Sequence, residues 1–229
     1  MKRTICVAAI LVSVVLPVAA QDSAVAQPQS AAQEYDVVIT GGRVVDGSGN
    51  PWYVADVGIR GGRIAAIGRL CTSGGAVGAS ACPAKRTIDA RGLYVAPGFI
   101  DVHTHSERGI KERPEANNFL FDGVTSIVSG NCGNSDTSLA EVFAQLRANG
   151  MAINYSTLVG HNAVRGEVMG TEQRDPTPEE QAKMEALVEQ AMRDGAVGLS
   201  TGLIYIPGTY SKTPEVVGLA RAAAKHNGV

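Results

Sequence analysis

Four times in this chain an acidic or amide residue is followed by glycine and then an apolar residue. These are Asp122-Gly123-Val124, Asn149-Gly150-Met151, Asp194-Gly195-Ala196 and Asn227-Gly228-Val229. Glycine just past a helix takes the left-handed conformation that ends it, so each triplet reads as a helix stop and a strand start. The spacing predicts helices over residues 114–121, 138–148, 178–193 and 214–226. The third is the best defined: Thr177 can cap it, Pro178 suits its first position, and Glu179 and Glu180 oppose its dipole. Met184, Leu187, Val188 and Ala191 share one face of it. Strands are expected over 125–129, 153–159 and 197–203, with an earlier one opening at Phe99. Alternation of this kind predicts parallel β/α units. Four units are present, whereas an eight-unit barrel needs about 250 residues. The expectation is therefore an α/β chain holding about the first half of a TIM-like (β/α)8 barrel over 96–229. An intact four-stranded α/β domain is the alternative.

The opening strand carries the first candidate chemistry. Val95-Ala96-Pro97-Gly98-Phe99-Ile100-Asp101-Val102-His103-Thr104-His105 reads as a short buried strand around Phe99, Ile100 and Val102. Side chains two apart share a face, with Cα atoms roughly 6.5 Å apart, so His103 and His105 can converge on one ion. The C-terminal end of a barrel strand is where such groups collect. Asp101 shares that face and is expected to orient an imidazole.

Residues 35–95 read differently. Short β-rich runs around Gly41-Gly42, Gly47-Ser48-Gly49-Asn50 and Gly61-Gly62 predict a small antiparallel sheet or sandwich. Residues 71–82 form a small-residue insertion within it. Ahead lie a disordered lead-in rich in Gln, Ala, Ser and Pro (21–34) and a signal peptide (1–20). The leader has a basic start at Lys2-Arg3, an apolar run too short to span a bilayer comfortably, and small residues at Ala19-Ala20. A periplasmic or secreted protein with no stable membrane anchor is expected. In such a compartment Cys71 and Cys82 can pair across the insertion, the alternative being two free thiols. Cys132 is then the odd cysteine. The net charge of −2 gives no electrostatic reason to propose nucleic acid as a partner.

The signature 97–105, preceded by Asp36-Val37-Val38-Ile39 and Gly42-Arg43-Val44-Val45-Asp46-Gly47, resembles the metal-dependent amidohydrolase superfamily. Ser129-Gly130-Asn131-Cys132-Gly133 and Gly198-Leu199-Ser200-Thr201-Gly202-Leu203-Ile204-Tyr205 are similar to the D-aminoacylase, or N-acyl-D-amino-acid deacylase, family. The resemblance implies a TIM-like barrel with zinc held by the cysteine and by histidines of later strands. It places the His-x-His pair at or near a second metal position, and a general-base aspartate beyond Val229. It thus assigns His103, His105 and Cys132 to metal. From the sequence alone Cys132 is equally a zinc-binding thiolate or an inert buried thiol. The implied reaction is hydrolysis of an N-acyl-D-amino acid, or a D-terminated peptide, to a carboxylate and a D-amino acid.

His161, at the expected end of the third strand, and Ser200 and Tyr205, at the end of the fourth, match family positions expected to line the substrate cavity. An acid often follows the second histidine in such families; here Ser106 stands first and Glu107 second, leaving that role open. His226 reads as a structural residue of a final helical turn. No lysine lies in 197–203, which disfavours a lysine-bridged binuclear site. Two alternatives remain: a cyclic-amide amidohydrolase of the hydantoinase or dihydroorotase kind, and a non-catalytic metal-binding fragment.

Overall fold

The computed structural model describes residues 34–73 and 80–229. The expected leader and nearly all of the lead-in lie outside the described residues. Two compact units are present, one of residues up to 45 with 49–95, the other of 96–229 with 46–48.

The first unit is built on β1 (Tyr35–Val44), which buries Val38 and Val44. Its partner β2 (Tyr53–Arg60) runs antiparallel to it and continues by a Gly61-Gly62 turn into β3 (Arg63–Gly68). β4 (Thr72–Ser73) and β5 (Ser80–Ala81) form a separate two-stranded ribbon. On the other edge of β1, β6 (Ala84–Asp89) and β7 (Tyr94–Val95) both run parallel to it. The expected antiparallel sheet or sandwich is thus corrected, among the described residues, to one mixed five-stranded sheet. The β2–β3 hairpin occupies one edge of β1, so the returning chain adds to the other. Nor does β1 end at Gly41-Gly42; a register shift between Ile39 and Gly42 carries the strand through. Asp56 holds this shift and the start of the insertion together, accepting from the amides of Gly41 (2.9 Å), Leu70 (3.0 Å) and Cys71 (3.2 Å). Cys71 and Cys82 are joined in a disulfide.

The second unit is α/β. Strands β8 (Phe99–Asp101), β9 (Val124–Ser129) and β10 (Asn154–Thr157) pair in parallel and in chain order. β11 (Val159–Gly160) continues β10 and pairs in parallel with β12 (Leu199–Ser200). Backbone bonds from Leu158 N to Ser129 O and from Val197 N to Thr157 O, each 2.9 Å, link the two ladders. Helices α1 (Glu107–Glu112), α2 (Asn117–Leu120), α3 (Leu139–Asn149), α4 (His161–Met169), α5 (Pro178–Asp194) and α6 (Thr213–Ala224) fill the intervals. Val159, Val164, Met184, Val188, Ala191 and Leu219 form the larger core cluster. A smaller one joins Ile110, Ile127, Val142, Leu146 and Ile153.

Three expectations change here. The helix predicted over 114–121 shortens to the four residues of α2, behind a left-handed Ala116 at φ 47°, while α1 was not anticipated and ends ahead of Pro114, with Arg113 at φ −135°. Helix α4 was not anticipated; it begins at His161 with no side-chain cap to signal it. Phe99, Ile100 and Val102 are each about two-thirds exposed rather than buried, and among the described residues β8 pairs with β9 alone. Among the described residues, no helix is long and apolar enough to cross a membrane.

The cap of α5 is complete. Thr177 Oγ1 accepts from Glu180 N at 3.2 Å, and Glu180 Oε2 accepts from Thr177 N at 2.8 Å. Replacing Thr177 by Ala removes half of this exchange and is expected to lower stability by about 1 kcal/mol, read from the urea midpoint at unchanged slope.

Candidate metal centre

Three side chains meet beyond the ends of β8 and β9. The two imidazole nitrogen donors of His103 and His105 and the sulfur of Cys132 all lie within 4.8 Å of one another. The imidazole centroids are 5.5 Å apart, and His103 Nε2 stands 3.5 Å from Cys132 Sγ. Nitrogen and sulfur bound to one tetrahedral zinc, at about 2.0 and 2.3 Å, are separated by roughly 3.5 Å. The spacing of this pair therefore fits a shared ion, and imidazole with thiolate is a donor set that zinc accepts well.

The histidines lie just past β8, which stops at Asp101. The alternation of a strand nevertheless persists. Thr104 is buried, its amide and hydroxyl both donating to Val128 O at 3.1 Å, while His103 and His105 are exposed. Asp101 does not orient an imidazole. Its Oδ1 accepts from the backbone amide of His103 at 3.1 Å, just ahead of the two imidazoles.

Cys132 sits in a tight turn over Asn131–Gly133 at φ 56°, ψ 27°, a left-handed conformation uncommon for a residue with a Cβ. The surroundings over-determine it. Gly130 enters the turn at φ 74°, and a Cβ there would stand 2.1 Å from Leu158 O, so no other residue fits. Asn131 Nδ2 donates to Val128 O at 3.0 Å and, more weakly, to Thr104 O at 3.4 Å. A Cβ on Gly202 would stand 2.2 Å from Cys132 O.

Two residues expected to touch substrate have other work. Ser200 Oγ donates to Gly130 O (2.5 Å) and accepts from Gly133 N (2.9 Å), spanning the cysteine turn from β12. His161 is fully buried. Its Nδ1 bonds Thr201 Oγ1 and its Nε2 bonds Glu215 Oε1, each at 2.9 Å, so neither nitrogen is left for a ligand. It is the first residue of α4 rather than the last of a strand, and its burial goes with its bonds to Thr201 and Glu215. Tyr205, about half exposed beyond β12, remains available for contact.

The sequence reading left the role of Glu107 open and missed the buried support Arg165. Glu107 Oε1 accepts from Gly130 N (2.7 Å) and Ser129 Oγ (2.8 Å). Arg165, fully buried, pairs with Glu215 Oε2 and donates to the carbonyl of Arg174 at 2.7 Å. No periodicity marks a buried Arg–Glu pair 50 residues apart.

The family model described as the amidohydrolase family matches residues 86–228. The chain belongs to this family. A D-aminoacylase of Alcaligenes xylosoxydans xylosoxydans is 39% identical over 224 residues, spanning 88% of this chain and 44% of the relative. An N-acyl-D-glutamate deacylase of the same organism is 41% identical over 214 residues, spanning 84% and 42%. Among solved structures, the N-acyl-D-glutamate deacylase of Bordetella bronchiseptica, complexed with zinc and a phosphonate mimic of the tetrahedral intermediate, superposes with a TM-score of 0.76. It is 39% identical and covers 86% of this chain and 44% of that one. The chain thus spans less than half the length of these relatives.

Burial pushes the Glu215 carboxyl up, but hydrogen bonds and charge from His161 and Arg165 outweigh it and hold the group below its ordinary 4.5. A depressed carboxyl stabilises the fold fully above its unfolded value and loses that contribution as pH falls through its folded value. In Glu215→Gln, stability measured by urea at successive pH values below about 4.5 should therefore fall less steeply than in the parent. Arg165→Met leaves a buried carboxylate beside a histidine alone and is expected to cost about 3–5 kcal/mol at neutral pH.

Proposed function

We propose that this chain contributes the His-x-His and cysteine ligands of a zinc-dependent deacylase acting on N-acyl-D-amino acids or D-terminated peptides. The observation that carries the reading is the 3.5 Å approach of His103 Nε2 to Cys132 Sγ, with His105 in the same cluster. The D-aminoacylase and deacylase names of the relatives support the substrate class. A zinc ion at such a site polarises an amide carbonyl and acidifies a water molecule. In this reading the barrel is completed outside the 229 residues, and so are the general-base aspartate and further histidine ligands. His103, His105 and Cys132 hold the metal. Ser200 and Glu107 hold the cysteine turn, and Tyr205 contacts substrate at the rim. The cyclic-amide alternative is not favoured: two relatives matched over 88% and 84% of this chain are named as a D-aminoacylase and an N-acyl-D-glutamate deacylase, and residues 197–203 contain no lysine to bridge two metals. We also propose export to the periplasm or beyond, supported by the leader pattern of residues 1–20 and by the Cys71–Cys82 disulfide, which suits an oxidising compartment.

Zinc content and hydrolysis of N-acyl-D-amino acids, with hydantoins and dihydroorotate as competitors, test the reading in the complete gene product. Cys132→Ala is expected to lose both metal and activity; unchanged zinc content would remove Cys132 from the site. The 229-residue chain by itself is expected to show no turnover, and robust zinc-dependent hydrolysis by it would overturn the assignment of the base to residues elsewhere.

A further inference from the structure

We propose that Glu107 is a positioning residue that sets the distance between the histidine and cysteine halves of the metal centre; the inference rests on the metal reading above. Glu107 opens α1, two residues after His105. One of its oxygens, Oε1, accepts both the Gly130 amide (2.7 Å) and the Ser129 hydroxyl (2.8 Å). Those two residues lead directly into the turn that carries Cys132. A single carboxylate oxygen therefore ties the segment of the histidines to the segment of the thiol.

The tie is reinforced on both sides. Ser129, fully buried, also accepts from the amide of Ser106 at 3.2 Å, so a second bond joins the same two segments. The carbonyl of Gly130 is held from the opposite direction by Ser200 Oγ. Gly130 is thus held at both its amide and its carbonyl. The left-handed Cys132 needs such fixing, because an unrestrained residue with a Cβ leaves that region. Removing the carboxylate leaves the Gly130 amide and the Ser129 hydroxyl without their acceptor, and frees the turn to move the sulfur from the imidazoles.

The geometry separates positioning from charge. Because one oxygen accepts both bonds, the amide oxygen of glutamine can replace it. In the full chain stripped of metal and titrated with zinc, Glu107→Ala should bind about 10- to 100-fold more weakly, and Glu107→Gln should stay close to the parent. In the metal-free protein, iodoacetamide should label Cys132 several-fold faster in Glu107→Ala than in Glu107→Gln, read by peptide mass spectrometry. Parent-like affinity and labelling in Glu107→Ala would overturn the proposal, as would a Glu107→Gln variant as impaired as Glu107→Ala. If Glu107→Ala does not fold, Ser129→Ala removes one of the two bonds to Glu107 together with the acceptor of the Ser106 amide; it should weaken zinc binding, and unchanged affinity would count against the tie. Cys132→Ala separates the two levels. Retained zinc in that variant defeats the metal reading, whereas zinc lost there but kept at parent affinity in Glu107→Ala defeats only this inference.

Discussion

The hydrogen-bonded frame around a left-handed cysteine underlies everything this site can do. Cys132 projects toward His103 because its backbone is held at φ 56°. In an extended conformation the same residue would continue β9 and send its sulfur elsewhere. Sterics do not favour the observed conformation, so the neighbours must impose it. They do so from three elements. Glu107 of α1 grips the entry, Ser200 of β12 grips entry and exit, and Asn131 is anchored to Val128. The parallel register brings those elements within reach, which links the fold to the chemistry of the site.

Part of this was legible in the sequence for identifiable reasons. Helix α5 carries its whole signal locally: Thr177, Pro178 and Glu180 act within one turn, and the structure places the cap there. Gly123, Gly150 and Gly195 all take positive φ after the helical segments they were read as ending. In the last repeat it is Asn227 that turns left-handed, at φ 58°, rather than Gly228. The alternation of His103, Thr104 and His105 needed only the period of an extended chain, and it survives although the strand ends at Asp101.

The remainder depended on contacts between distant segments. Nothing near His161 distinguishes a strand end from a helix start, and its burial is decided by Glu215, 54 residues away. Ser200 was placed at the correct strand end, yet its hydroxyl serves the turn around Gly130, 70 residues earlier. The parallel pairing of β1 with β6 likewise turns on which edge of β1 the hairpin leaves open. Phe99 and Ile100 were read as buried because apolar runs usually are, whereas exposure depends on what packs over each face of the strand.

The buried trio of His161, Arg165 and Glu215 has a consequence for altering this protein. It ties the N-terminal halves of α4 and α6 to each other and, through Thr201, to the chain leaving β12. Randomising position 161, which directly follows β11, would dismantle a keystone rather than reshape a wall of the proposed substrate site. The half-exposed ring of Tyr205 offers a plasticity that the trio lacks. In the proposed deacylase, adaptation to new amides is therefore expected to accumulate on the segment after β12 while the trio stays fixed.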